Sequence, residues 1–217
     1  MSRIIVITGT DTGVGKTWLT ARLARHLRAQ GVRVAALKPL CSGGREDALA
    51  LHDALDGALT LDEINPWFFR APLTPLLAAR MEKRRVTLRE VVAQVRRMAK
   101  RFDVVLVEGA GGLLSPLGEN FSTRELIRAL HAEVLIAAPN RLGVVNHLRL
   151  TLEALPSSFA QRTRVALMSP QKPDAASRTN PKLLAEFIDE HRVIQLPFLA
   201  HHKTSPPLRR ALTALLR

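Results

Sequence analysis

Arg3-Ile-Ile-Val-Ile-Thr8 runs directly into Gly9-Thr-Asp-Thr-Gly-Val-Gly-Lys-Thr17, and the join between these two stretches decides the fold. The first is a β-branched apolar run of strand length closed by a glycine, and reads as a buried strand. Over 16–30 the apolar residues move to helical spacing, with Leu19, Leu23 and Leu27 on one face and Gly31 as the stop. A strand, a glycine-rich loop, Gly-Lys-Thr and a helix, in that order, form the setting in which backbone N–H groups and a helix N-terminus cradle phosphate. Lys16 would reach the β and γ phosphates, and the Thr17 hydroxyl would bind Mg²⁺. Five residues separate Gly9 from Gly15, one more than in the common form of such loops.

The alternation continues outward. Further strands are expected at 32–38, 103–108, 133–138, 164–169 and 193–196, and helices at 88–102, 123–131, 142–155 and 181–191. Leu88, Val91, Val92, Val95, Met98, Ala99 and Phe102 fit the amphipathic template of the long helix. Strands apolar on both faces, alternating with helices, imply an α/β fold whose parallel sheet is covered on each side. Right-handed crossovers then bring the segments starting at Gly9, Lys38, Glu108, Pro139 and Ser169 to one edge, where ligands bind. With no internal repeat, low-complexity tract or linker, residues 1–217 are expected to form a single domain.

Composition narrows the class. Of 217 residues 47% are hydrophobic, an ordinary globular fraction, and no apolar run approaches the roughly 18 residues that span a bilayer. The chain opens straight into a strand, so no secretory leader is expected, and a cytoplasmic setting follows. One cysteine, Cys41, rules out an internal disulfide or a multi-thiolate zinc site. Lys and Arg number 32 against 19 Asp and Glu, a net charge of +13. The basic residues are spread along the chain and densest over 80–101. With no tyrosine and 4% aromatics a base-stacking platform is poorly supplied. The charge therefore reads as a solvated surface, with neither nucleic acid nor membrane expected as partner.

Glu108 ends a central strand before Gly109-Ala-Gly-Gly112, so its carboxylate should emerge at the crevice as a hard oxygen ligand. Asp47 on its residues alone reads as a cap for a helix starting near Ala48, ahead of any role in the site. Lys38, closing the second strand, is a fixed cation beside the loop or an ordinary strand-end lysine. Cys41 has no paired base, and His147 reads as a helix-packing residue.

Taken together, 9–17, Lys38-Pro39, Asp47-Ala48, Val107-Glu-Gly-Ala-Gly-Gly112 and Leu142-Gly143 with Asn146-His147 resemble the dethiobiotin synthetase family, over about residues 1–155 and in the family's order. The C-terminal third matches best at 196–199. The resemblance implies a P-loop NTPase-like fold and a ligase of biotin biosynthesis. That ligase joins CO₂ to 7,8-diaminononanoate with ATP and Mg²⁺ and closes the ureido ring. It further implies that Lys16 and Lys38 stabilise the transferring phosphoryl and the carbamate, and that Thr17, Asp47 and Glu108 hold the metal. Gly13, Val14, Gly15, Lys16, Thr17 and Trp18 would bind the nucleotide, joined by Asp47, by 108–111 (Glu108, Gly109, Ala110, Gly111) and by Ser169, Pro197, Phe198 and Leu199. Thr12, Ser42 and the Gly111-Gly112 backbone would contact the diamine. Leu142, Gly143 and Asn146 would bind its carboxylate from the second subunit of a homodimer.

The chain departs from the family where an adenine-reading Asn is expected, placing Ser169-Pro170 there, and relaxed base selectivity follows as an expectation. A cobyrinate-type amidating synthetase shares the loop but carries a glutaminase domain for which 217 residues leave no room. A partitioning or positioning ATPase would carry a lysine where Asp11 stands.

Overall fold

The computed structural model describes residues 2–198 and 205–217. Along the chain these form β1 (Arg3–Gly9), α1 (Lys16–Arg28), β2 (Val34–Leu37), β3 (Leu40–Ser42), α2 (Glu46–Ala54), α3 (Leu61–Ile64), β4 (Trp67–Phe69), α4 (Pro75–Met81) and α5 (Leu88–Ala99). They continue with β5 (Val104–Glu108), α6 (Thr123–Leu130), β6 (Glu133–Pro139), α7 (Val144–Glu153), α8 (Ser157–Ala160), β7 (Arg164–Met168), α9 (Ala175–Leu184), β8 (Val193–Leu196) and α10 (Pro206–Leu216).

The main sheet runs β2-β5-β1-β6-β7-β8 and is parallel throughout. β1 and β5 are apolar without alternation because helices cover both their faces. α1 and α10 pack on one face; α5, α6, α7 and α9 pack on the other. Ile5, Ile7, Leu19, Leu23, Met98 and Leu106 are fully buried between the layers. From β1 the chain turns towards β2, and from β6 it turns the opposite way towards β7. The carboxyl ends of β1 and β6 therefore flank the crevice where this topology binds ligands.

The expected main-sheet strands all form, with ends displaced by up to two residues. The helix expected over 181–191 is a correction: it lies at Ala175–Leu184, started by an Asp174–Ser177 capping box, with Pro181 inside it. Reading Pro181 as a first helical residue follows its usual preference. Its missing N–H leaves the Ser177 carbonyl without an intrahelical donor. Asn140 Nδ2 donates to that carbonyl at 2.8 Å, so the helix passes through the proline. A second, short parallel pair, β3 with β4, was not legible in the periodicity; it lifts 40–42 over the crevice.

Candidate active site

The loop after β1 is built for close approach. A Cβ on Gly9 would come within 2.5 Å of Val14 Cγ2 and 3.3 Å of the Ala137 carbonyl oxygen. Gly15 is the N-cap of α1 at φ 94°, a left-handed conformation that glycine adopts without strain. No side chain caps α1 and its first turn holds no acid, so its free N–H groups and positive dipole end face the crevice.

Lys16 is buried and its Nζ donates to the Asp11 carbonyl at 2.8 Å. Burial, then repulsion from Lys38, lowers its pKa to about 8. Thr17 Oγ1 donates to Glu108 Oε1 at 2.7 Å. Lys38 Nζ reaches three acceptors: Glu108 Oε1 at 2.7 Å, Asp47 Oδ2 at 2.9 Å and the Gly109 carbonyl at 3.0 Å. Burial pulls the Lys38 pKa down, but the charges of Glu108 and Asp47 outweigh it and hold the ammonium well above its ordinary range. Burial likewise opposes ionisation of Asp47, yet Lys38 and Thr17 together keep that carboxylate below its usual value. The second oxygen of Glu108, Oε2, is buried with no hydrogen-bond partner among the described residues.

Asp47 sits in the first turn of α2 behind Arg45, the N-cap residue, so it does not cap the helix. The cap reading is thereby excluded, and the carboxylate lies against Lys38 instead. Cys41 is buried, and burial raises its thiol to about 12, which leaves it an inert wall. His147 is exposed at the start of α7, not packed as expected.

Two cavities share the loop as their wall: Gly13, Gly15, Thr17 and Trp18 line both. The first, about 820 Å³, holds Thr12, Lys16, Lys38, Ser42, Asp47 and Glu108, with Ala110 and Gly111 at its side. Ser42 Oγ donates to the Leu73 carbonyl at 2.5 Å, fixing the segment that supplies Pro72, Leu73 and Thr74 to the opposite wall. Those residues were missed; the one available signal was Thr74-Pro75, a helix-start pair. The Gly112 amide, expected to face the diamine, donates to Ser115 Oγ at 2.9 Å, and Ser115 lines the cavity instead. Gly109 turns its carbonyl to Lys38 and borders neither cavity.

The second cavity, about 770 Å³ and more apolar, includes Val14, Met168, Ser169, Pro170, Pro197 and Phe198. Leu199 lies outside the described residues. Arg22 and Arg25, unassigned from sequence, also line it; they follow Trp18 at helical spacing on α1, and the Arg22 guanidinium sits 5.3 Å from the Trp18 ring centroid. Leu142, Gly143 and Asn146 border neither cavity of their own chain. Leu142 is 84% exposed.

An AAA-domain family model matches residues 3–204. The ATP-dependent dethiobiotin synthetase BioD of Anaeromyxobacter sp. (strain Fw109-5) is 46% identical over 169 residues, 76% of this chain and 76% of that protein. The protein of the same name from Anaeromyxobacter sp. (strain K) is 39% identical over 201 residues, 90% of each chain. Among solved structures, the MinD cell division protein of Aquifex aeolicus superposes with TM-score 0.62 at 15% identity, over 99% of this chain and 96% of that one. A structure of pNOB8 ParA bound to nonspecific DNA gives TM-score 0.60 at 17% identity, over 100% and 98%. At such identities the likeness establishes the P-loop NTPase fold alone.

Proposed function

The chain belongs to the ATP-dependent dethiobiotin synthetase family, and on that premise we propose that its two cavities are the halves of one ATP-driven ring-closing site. The second cavity takes the nucleotide base and ribose, the loop takes the phosphates, and the first cavity takes 7,8-diaminononanoate and CO₂. One amine of the diamine attacks CO₂ and, losing a proton, becomes a carbamate. A carbamate oxygen displaces ADP from the γ-phosphoryl group. The second amine then attacks the carbonyl of this mixed anhydride, expels phosphate and closes the five-membered ureido ring.

The observation that carries this reading is Lys38, held between Glu108 and Asp47 within the wall that Lys16 and Thr17 also line. Each step moves negative charge between a phosphate and a carbamate, so fixed cations and amides are the required catalysts. Lys16 neutralises the β and γ oxygens; Lys38 faces the carbamate. Asp47 and Glu108 pin the Lys38 ammonium so that it needs no reorganisation. Thr12, Ser42 and Gly111 orient the diamine.

The residues also fit Mg²⁺: Thr17 Oγ1, Asp47 and Glu108 form a set of hard oxygens, and the unpartnered Glu108 Oε2 has capacity to spare. When bound, that ion would supply charge neutralisation to the transferring phosphoryl group. We further read residues 1–217 as one domain, working in the cytoplasm as a homodimer. The exposed Leu142 and Leu150 on and beside α7 support the contact with a second copy, whose Asn146 region receives the substrate carboxylate. Among the described residues no helix is long and apolar enough to cross a membrane.

Release of ADP in single-turnover mixing tests the proposal. It should require diamine and bicarbonate together and should slow about 10²–10³-fold in Lys38→Met. Hydrolysis of ATP at the same rate without diamine would remove the ring-closing role.

A further inference from the structure

We infer that the cavity at the amino-terminal edge of the main sheet is a binding site for a small phosphorylated anion, separate from the phosphate loop. The cavity measures about 540 Å³, within the range of roughly 300–1,000 Å³ typical of small-molecule sites. Its floor is the start of neighbouring strands: Arg3 on β1, Glu133 on β6 and Arg164 on β7. The loop lies at the other end of those strands, about 20 Å away along a seven-residue strand.

Charge there is unbalanced in a particular way. Arg3 and Glu133 satisfy one another through two hydrogen bonds at 2.5 and 2.7 Å, so that side is neutral. On the other side the β7–β8 register starts at Val165 opposite Val193, so Arg164, first on β7, and Arg192, just before β8, both stand at this edge and line the cavity. Arg192 is anchored by donating to the Thr163 and Ala160 carbonyls, and Arg162 by donating to Ser158 at 3.0 Å. Arg164 and Arg217 have no acceptor or ion-pair partner among the described residues, and both line the cavity. Asp189 is near Arg192, but its carboxylate accepts from the His191 amide at 2.9 Å and does not line the cavity.

With Arg3 spent on Glu133, the remaining guanidinium groups of the lining face no further acidic side chain, and such a set matches phosphate because each offers a planar fork of donors. The space exceeds what inorganic phosphate fills, and Phe159, with the Arg162 guanidinium 6.0 Å from its ring centroid, gives one wall an aromatic surface. The ligand class is therefore a phosphorylated small molecule. A local concavity, as opposed to a long basic track, disfavours a nucleic-acid backbone. The site would also account for part of the +13 charge that the active site does not use.

Calorimetric titration of pyrophosphate into the full chain, with the phosphate loop saturated by a non-hydrolysable ATP analogue, tests the inference. One saturable site is expected. Arg164→Gln and Arg217→Gln should each weaken it at least about tenfold, the loss of one charge-assisted phosphate contact, while binding of the ATP analogue is unchanged. If Arg164→Gln does not fold, shown by loss of analogue binding, Arg217→Gln on the exposed last residue decides alone. Absence of pyrophosphate binding under loop saturation, or affinity indifferent to the substitutions, overturns the inference. So does a single-stranded oligonucleotide that binds through these arginines when pyrophosphate does not.

Discussion

Lys38 Nζ lies 2.7 Å from Glu108 Oε1, and both residues are buried, 4% and 2% exposed. They come from adjacent strands, β2 and β5, whose ends the sheet places side by side. A buried pair of this kind is weak evidence for stability but strong evidence for a fixed charge, because removing one partner strands the other. Because Lys38 keeps Asp47 and the Gly109 carbonyl, Glu108→Gln should cost about 1–2 kcal/mol in chemical unfolding of the nucleotide-free protein, less than the roughly 3 kcal/mol of a fully stranded charge. Lys38→Met should fold and lose about 10²–10³ in kcat, as expected for a single removed electrostatic donor. A folded Lys38→Met enzyme with near-normal turnover would place that cation outside the chemistry.

Lys16 gives a pH signature. Its pKa in the empty site is lowered to about 8, below the ordinary lysine value. The cost of burying the charged form is thus present below about pH 8, and stability rises as pH increases from there towards the unfolded lysine value. Bound phosphates require the charged form, so above about pH 8 nucleotide binding must take up a proton. Calorimetry at pH 9 in buffers of different ionisation enthalpy should show uptake approaching one proton. Zero uptake in the wild type, or the same uptake in Lys16→Ala, contradicts this assignment.

Base recognition is expected to be loose. The Ser169 amide donates to the Leu196 carbonyl at 3.0 Å, and Pro170 has no N–H. Asn140 also lines the second cavity, but its amide is occupied, donating to Ser177 and accepting from Asn180 Nδ2 at 3.0 Å. Gln171, exposed at the cavity's lining, is left as the paired donor and acceptor, and an exposed side chain discriminates poorly between bases because water satisfies it equally well. CTP, GTP and UTP should support turnover within about tenfold of ATP, roughly 1.4 kcal/mol. A preference for ATP above about a hundredfold in kcat/KM would show that another group reads the base.

The Asn140–Ser177 bond separates structure from chemistry. Asn140→Leu leaves the Ser177 carbonyl unpaired and removes one of the two bonds of Asn180 Nδ2, which keeps the Arg141 carbonyl, and should cost about 2 kcal/mol by denaturant titration. The chemical step should be nearly unchanged at a temperature where the variant is folded. Unaltered stability would remove Asn140 as the support for a helix that runs through Pro181.

Subunit assembly is testable through Leu142, 84% exposed next to the glycine N-cap of α7. The chain should sediment as a dimer at assay concentration, and Leu142→Asp should shift it to monomer while raising KM for the diamine more than KM for ATP. An active wild-type monomer contradicts the shared carboxylate pocket.

The order of the main-sheet strands and the setting of the glycine-rich loop were legible because local period and local motif carry them, whereas the short α3, α4 and α8 and the last helix, α10, were not expected. Asp47 was ambiguous for a physical reason: an acid in a first helical turn satisfies the helix dipole whether or not it also meets Lys38. Pro181 misled because the donor that compensates for it, Asn140, lies in a different loop. Pro72, Leu73 and Thr74 enter the site through β3–β4 pairing and Ser42, contacts between segments about thirty residues apart that no periodicity records. Ser115 was hidden because its role, holding the Gly112 amide, exists only in the folded turn.

The central claim is that this chain closes a ureido ring on a diamine. Incubation with 7,8-diaminononanoate, ¹³C-bicarbonate, Mg²⁺ and ATP, followed by mass spectrometry, tests it most directly. The account predicts dethiobiotin carrying one ¹³C, in equal amount to ADP and phosphate, and none with Lys16→Ala. ATP consumption without labelled dethiobiotin from the folded wild-type protein would contradict it.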